Sequence, residues 1–195
     1  MPSLNSISTL TAKAPTDYWR KPPALDVGNA PTYFKEVNST EFRRARVTVS
    51  ADWIRLYDQG GLFVEFPKVI KSSVPGEADK RCWLKTGIEF FNDRPNLSTV
   101  SAREWADWSL LPLSDKKVTL EIAREEKDAA TGAGSSLWVY LVENSDGREV
   151  KTAVREVTWA FETEGTLKVG TYAARPTEGD GPAELVVKFE GLVIE

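Results

Sequence analysis

A chain of 195 residues with 41% hydrophobic and 28% charged side chains has the balance of one soluble globular domain of the larger all-β kind. Its formal charge of −4 argues against nucleic acid or an anionic membrane surface as the main partner. Histidine is absent and Cys82 is the only cysteine, which removes imidazole bases, the usual zinc and iron ligand sets, Ser-His-Asp and Cys-His machinery, and any intramolecular disulfide.

The amino terminus, MPSLNSISTLTAKAP, lacks the charged region and apolar core of a secretory signal. No apolar run approaches the roughly 20 residues that cross a bilayer, and the lone cysteine fits a reducing compartment. These features predict a cytoplasmic protein. Residues 1–40 carry five prolines and little periodicity. They read as an irregular lead-in lying across the rest, with Asp17 and Trp19 placed to fold over one end of a cleft.

Beyond residue 40, short runs rich in Val, Ile, Leu and aromatics predict strands over 42–50, 59–66, 82–91, 96–101 and 105–111. Further strands are expected over 117–124, 136–143, 148–161 (in one or two pieces), 166–174 and 184–194. Turn signals separate them: NDRP at 92–95, TGAGS at 131–135, NSDG at 144–147 and TEGDGP at 177–182. Many short strands at near-regular spacing predict an antiparallel sandwich or barrel. With no repeat or low-complexity tract, residues 1–195 read as a single domain.

Alternation along a strand assigns the faces. Over 59–66, Leu62, Val64 and Phe66 share a dry face, and Gln59, Gly61, Phe63 and Glu65 share the other. Over 82–91, Cys82, Leu84, Ile88 and Phe90 go with the core, and Trp83, Lys85, Gly87 and Glu89 point away. One register that keeps the faces matched sets Gln59 opposite Glu89, Gly61 opposite Gly87 and Phe63 opposite Lys85. Two glycines then lie side by side, rimmed by a carboxylate, an amide, an ammonium and rings. Lys85 and Glu89 fall roughly 13 Å apart along the strand, too far for a simple ion pair and far enough for a ligand to lie between them. A tight turn at 92–95 then sets Ser98 opposite Glu89 and Leu97 opposite Phe90, extending the polar face with Asn96 and Ser98.

The motifs TDYW (16–19), YDQGGL (57–62), WLKTGIE (83–89), LSTV (97–100), ADWSLLPL (106–113), VGTYAARP (169–176) and VVKFEGLVI (186–194) follow in that order. Together they resemble the domain-of-unknown-function family that includes the fungal regulation-of-enolase proteins. The resemblance implies an all-β, two-sheet antiparallel jelly roll of the concanavalin A-like lectin and glucanase fold. It places Asp58, Gln59, Lys85, Glu89 and Asp107 at the family's motif positions and implies a regulatory role in carbon metabolism, with a metabolic enzyme as a partner. Retaining glucanases of that fold set acids on one strand about 5–5.5 Å apart. The equivalent strand here offers Lys85 and Glu89, so standard retaining glucanase chemistry is not expected.

Several residues admit two readings. Asp58 either touches ligand or bonds nearby backbone amides in a turn, and Gln59 is the better contact of the two. Trp83 and Phe63 either stack on a flat ligand or form a buried minicore. Glu65 either meets the ligand, pairs with Lys85, or lies at the rim. Trp108, Trp138 and Trp159 read as core. TGAGSS lacks GK[ST] and is not a phosphate loop. NSDG is a hairpin turn rather than a calcium loop, and neither Ser98 nor Ser109 sits in a nucleophile elbow.

The expected function is lectin-like binding of a small organic or carbohydrate-like ligand on the concave sheet by Asp58, Gln59, Phe63, Glu65, Trp83, Lys85, Glu89, Ser98 and Asp107. An enzyme using the same cleft without metal or organic cofactor is the alternative: an isomerase, cyclase or hydrolase of a small fungal metabolite. Glu89 would then be acid or base, Lys85 its electrostatic partner and Gln59 the orienting group. A protein-interaction module is the third reading, and exposed sheet edges leave room for a homodimer.

Overall fold

The computed structural model describes residues 7–71, 79–128, 130 and 134–195. Fourteen strands are formed among them: β1 (Ile7–Lys13), β2 (Tyr18–Lys21), β3 (Leu25–Gly28), β4 (Thr32–Asn38), β5 (Arg44–Ser50), β6 (Gln59–Ile70) and β7 (Lys80–Phe91), then β8 (Arg94–Ala102), β9 (Ala106–Pro112), β10 (Lys117–Arg124), β11 (Leu137–Ser145), β12 (Arg148–Val157), β13 (Thr166–Ala174) and β14 (Glu184–Ile194). Two six-stranded antiparallel sheets run β1-β14-β5-β10-β11-β12 and β4-β13-β6-β7-β8-β9. The second carries the candidate site and is called the site sheet; the first is the back sheet. β2 and β3 pair as a separate hairpin.

Period-two alternation explains why these residues form a sandwich. Val47 and Val49 of β5, Leu120 and Ile122 of β10, and Val187 and Phe189 of β14 point inward from the back sheet. They meet Leu62, Val64, Leu84, Ile88 and Val169 of the site sheet in one apolar cluster. Each such side chain contributes about 1.5–3 kcal/mol on burial, which fixes which face of each strand turns inward. A second, smaller cluster forms on the opposite face of the site sheet. There Phe63, Trp83, Val100, Tyr172 and Ala174 are covered by Tyr18 and Trp19 of the hairpin.

The lead-in is more ordered than expected. It supplies an outer strand to each sheet, β1 against β14 and β4 against β13, as well as the covering hairpin. β4 is exposed along most of its length, and such edge strands need no buried face, so their sequence carries little alternation. The long expected segment 148–161 is one strand ending at Val157. Asp146 and Gly147, both at positive φ, make the two-residue turn between β11 and β12, as NSDG predicts. Residues 131–133 of TGAGSS lie outside the described residues. Trp159 packs on the main core as expected. Trp138 does not: it alternates with buried Leu137 and Val139 and stacks on Tyr140 at 6.4 Å.

Candidate functional site

The site is built on the outer face of β6, β7 and β8. In the β6–β7 ladder Gln59 pairs with Glu89, Gly61 with Gly87 and Phe63 with Lys85, the one of the face-matched registers set out above. The glycines have a backbone reason. A Cβ on Gly61 would lie 2.0 Å from the Thr86 carbonyl oxygen, and one on Gly87 would lie 2.0 Å from that of Gly60. The two strands therefore approach each other too closely for any side chain at either position.

The β7–β8 register differs from expectation by two residues. Asn92 and Asp93 both adopt positive φ and form a two-residue hairpin turn between Phe91 and Arg94. Glu89 thus pairs with Asn96, Ile88 with Leu97 and Gly87 with Ser98. Ser98 still reaches Glu89 diagonally across the ladder, donating from Oγ to Oε2 at 2.5 Å.

A cavity of about 380 Å³ lies over this face. Gln59, Lys85 and Glu89 line its base, with Val100 and Trp108 from the neighbouring strands. The segment leading into β2 adds Asp17, β2 adds Trp19 and Lys21, and Tyr57, Pro176 and Thr177 come from loops. Its size is in the range of small-molecule sites. Trp19 meets Trp108 edge-on at 6.2 Å, and Tyr57 stacks on Phe91 at 5.7 Å and meets Trp108 at 6.3 Å. Aromatic walls therefore surround a polar base.

Lys85 is 2% exposed and donates to Asp17 Oδ1 at 2.7 Å. Asp17 is itself fixed. Its Oδ1 accepts from the Tyr18 amide at 2.7 Å, its amide donates to Asn29 Oδ1 at 2.9 Å, and its carbonyl accepts from the Asn29 amide. At the other end of the base, Glu89 Oε2 accepts from Ser98 Oγ and from Trp108 Nε1 at 3.1 Å. Burial pushes the Glu89 carboxyl above its ordinary range, against the opposing pull of Lys85, Ser98 and Trp108. Gln59 donates from Nε2 to the Tyr57 carbonyl at 3.2 Å and accepts from the Tyr172 hydroxyl at 3.4 Å. Burial, with the nearby charges of Glu89 and Asp17, holds the Tyr172 phenol well above its usual value, so it remains a donor.

Gln59, Lys85 and Glu89 are therefore brought together as expected, with Ser98 beneath Glu89. The remaining predicted contacts are corrected. Phe63 and Trp83 form the buried minicore under Tyr18, with rings 4.4 Å (Tyr18–Phe63) and 5.9 Å (Tyr18–Trp83) apart, and they do not line the cavity. Glu65 pairs with Lys168 at 3.0 Å and Arg81 at 3.5 Å, away from Lys85. Asp58 is fully buried, accepts the amides of Ile54 and Arg55 and binds Arg175 in two hydrogen bonds. It builds the loop that carries Tyr57. Asp107 faces the opposite way from Trp108 and pairs with Arg155 of the back sheet, joining the two sheets at their β9 and β12 edges.

The expected placement of Asp17 and Trp19 over the cleft is found, and Trp108, expected in the core, is a cavity wall. Sequence reasoning missed Tyr57, Lys21, Val100, Pro176 and Thr177. The available signals were the parity of Val100 with Ser98 and the position of Tyr57 beside Asp58 and Gln59. Among the described residues, no group of three or more acidic or cysteine side chains is placed to hold a metal ion, and no helix is long and apolar enough to cross a membrane.

The family model described as "protein of unknown function (DUF1349)" matches residues 3–195. The chain is 44% identical over 191 residues to the uncharacterized protein AN7484 of Emericella nidulans, covering 95% of this chain and 85% of that one. Its fold is similar to that of a functionally unknown protein from Saccharomyces cerevisiae, with a TM-score of 0.71, 22% identity, and coverage of 98% and 96% of the two chains. It is also similar to part of the xylan β-1,4-xylosidase of Bacillus halodurans, with a TM-score of 0.58 at 10% identity. That likeness covers 93% of this chain and 32% of the enzyme. At these identities the two structures show a shared two-sheet sandwich fold and nothing of its activity. The chain belongs to the DUF1349 family.

Proposed function

We propose that this protein binds a small organic, carbohydrate-like ligand in the cavity between the β2–β3 hairpin and the outer face of the site sheet. The observation that carries the reading is the convergence of Gln59, Lys85 and Glu89, each no more than 4% exposed, on one cavity walled by Trp19, Tyr57 and Trp108. Buried polar groups are costly unless they are used. Here Lys85 spends one of its three ammonium protons on Asp17, and no hydrogen bond from the described residues reaches Glu89 Oε1. Rings beside unspent donors and acceptors suit a flat or ring-shaped polar molecule. The family resemblance supports a regulatory setting in carbon metabolism with a metabolic enzyme as partner, the net charge of −4 argues against nucleic acid in that role, and the lone cysteine fits a cytoplasmic location.

The test is a thermal-shift screen of sugars, sugar acids and phosphorylated intermediates on wild type and Glu89→Gln, followed by calorimetric titration of each hit. A compound that stabilises wild type and loses that effect in the variant supports the site. Hits that survive Glu89→Gln, Lys85→Met and Trp108→Ala alike place binding elsewhere and defeat the reading.

A second reading, an acid–base enzyme in the same cavity, is favoured by one observation. Glu89 sits where burial disfavours its charge while Asp17 stands against Lys85, an arrangement that suits a proton donor. Turnover of a bound compound by wild type, lost in Glu89→Gln with binding retained, distinguishes enzyme from binder.

A further inference from the structure

Resting on that binding reading, we infer that the ligand is a neutral polyhydroxylated molecule and that Asp17 is the residue that excludes anionic ones. Lys85 is the buried cation of the cavity, and a buried ammonium is the natural partner for a carboxylate or phosphate. Here that partner is supplied by the chain itself. Asp17 Oδ1 stands 2.7 Å from Lys85 Nζ, and the Asp17 side chain is 21% exposed.

Asp17 is not positioned to be displaced by a competing anion. Its backbone is clamped to Asn29 in both directions, and the Asn29 side chain ties the same segment to the Pro15 carbonyl at 3.0 Å. Its carboxylate also accepts the Tyr18 amide, and Tyr18 is seated on Phe63 and Trp83. Turning the Asp17 carboxylate away from Lys85 would therefore forfeit the Tyr18 amide bond as well as the ion pair, while its backbone stays clamped in place.

The charge balance of the cavity follows. Lys85 is neutralised by Asp17, and Glu89 adds no positive charge in either protonation state. Lys21 lies at the exposed rim, where water and salt screen it. An acid entering between Asp17 and Glu89 meets the Asp17 carboxylate, a Glu89 carboxyl that repels it whenever ionised, and no uncompensated buried cation, an arrangement that selects against it. A neutral polyol meets donors on Lys85 and acceptors on Asp17, Glu89 and Gln59. Its ring can lie against Trp108 and Trp19.

Calorimetric titration of matched pairs tests this: glucose against glucuronate, and myo-inositol against an inositol monophosphate, on wild type, Asp17→Asn and Asp17→Asn/Lys85→Met. Asn keeps the shape of Asp17, and circular dichroism checks that each variant is folded. In wild type a neutral member of the panel binds, and its charged counterpart binds at least about tenfold more weakly. In Asp17→Asn the charged member gains about tenfold or more, and removing Lys85 as well abolishes the gain. Glucuronate or the phosphate binding wild type as well as its neutral counterpart overturns the inference while leaving a ligand site in place. An Asp17→Asn variant with unchanged discrimination also overturns it. If no member of either class binds wild type at millimolar concentrations, this inference and the broader binding reading fall together.

Discussion

Arg175 lays its guanidinium along Asp58, Nε on Oδ1 at 2.7 Å and Nη2 on Oδ2 at 2.8 Å, in a pair with side chains 1% and 0% exposed. The same Arg175 donates to the Pro182 carbonyl at 2.6 Å, and the same Asp58 caps the amides of Ile54 and Arg55. One buried ion pair thus joins the loop holding Tyr57 to the loop holding Pro176 and Thr177, and so closes one side of the cavity. Removing either partner strands the other charge in the interior. Asp58→Asn and Arg175→Met are each expected to lower stability by about 3–5 kcal/mol in urea unfolding. Their combination should cost clearly less than the sum, because the second change removes the orphaned charge.

The Gly61–Gly87 pair gives a contrast between space and strain. Gly61→Ala or Gly87→Ala drives a Cβ into backbone of the adjoining strand, which no side-chain rotation relieves. A loss of at least about 3 kcal/mol, or failure to fold, is expected. Gly147 has φ +74 and nothing within 4 Å of an added Cβ. Gly147→Ala should therefore cost only about 1–2 kcal/mol, the strain of the left-handed conformation. Denaturant midpoints of the three variants settle the ordering.

Those glycines also mark how far the sequence could be read. Period-two alternation in β6 and β7 sorts the dry face from the mixed aromatic-polar one, and matching the faces narrows their register to steps of two residues. The Gly61–Gly87 pairing is one of those steps, and the long 67–81 connection does not choose among them. The same rule gives no help where a strand lies at a sheet edge. In β9, Ala106, Trp108 and Leu110 alternate with Asp107, Ser109 and Leu111, and neither set is clearly the dry one. Charge favours Asp107 for the site and ring size favours Trp108 for the core, yet the pairing of Val100 with Trp108 turns the indole to the cavity. What covers a face is likewise absent from alternation, because Tyr18 and Trp19 reach the site sheet through tertiary packing alone.

Glu89 predicts a pH dependence of definite sign. Burial raises its carboxyl in the folded state above the ordinary value of 4.5. Between that value and the raised one, the folded chain holds a proton that the unfolded chain has released. Stability contributed at this residue is therefore fully present below about 4.5 and is lost as pH rises through the folded value. Glu89→Gln cannot titrate. The stability difference between variant and wild type, from thermal unfolding at a series of pH values, should move in the variant's favour as pH rises through this window. A difference independent of pH would contradict the burial argument.

Asp107 and Trp108 are adjacent in sequence and opposite in expected effect. Asp107→Ala breaks an ion pair whose carboxylate is 71% exposed. It should cost less than about 1 kcal/mol and leave ligand affinity unchanged. Trp108→Ala removes a cavity wall and the indole donor to Glu89, and should weaken binding of the neutral sugars by about tenfold or more. Calorimetry and thermal unfolding on both variants separate the two roles. Equal loss of affinity would mean that Asp107 acts on the cavity across β9.

Tyr57 joins strain to the site. It is a non-glycine residue at φ +66, a conformation that costs about 1–2 kcal/mol relative to glycine. Two contacts to its backbone hold it there, the amide donating to the Phe90 carbonyl at 2.8 Å and the carbonyl accepting Gln59 Nε2 at 3.2 Å, and the next residue, Asp58, is fixed by its buried pair with Arg175. The ring this strain presents lines the cavity between Phe91 and Trp108. Comparing Tyr57→Gly with Tyr57→Ala isolates the strain, because both variants lack the ring. The glycine variant should be the more stable by about 1 kcal/mol in urea unfolding, and both should bind the neutral sugars more weakly than wild type. If the two are equally stable, the left-handed conformation at residue 57 stores no strain. If both bind as tightly as wild type, the ring serves packing alone, and the backbone cost at Tyr57 is met for the fold rather than for the ligand.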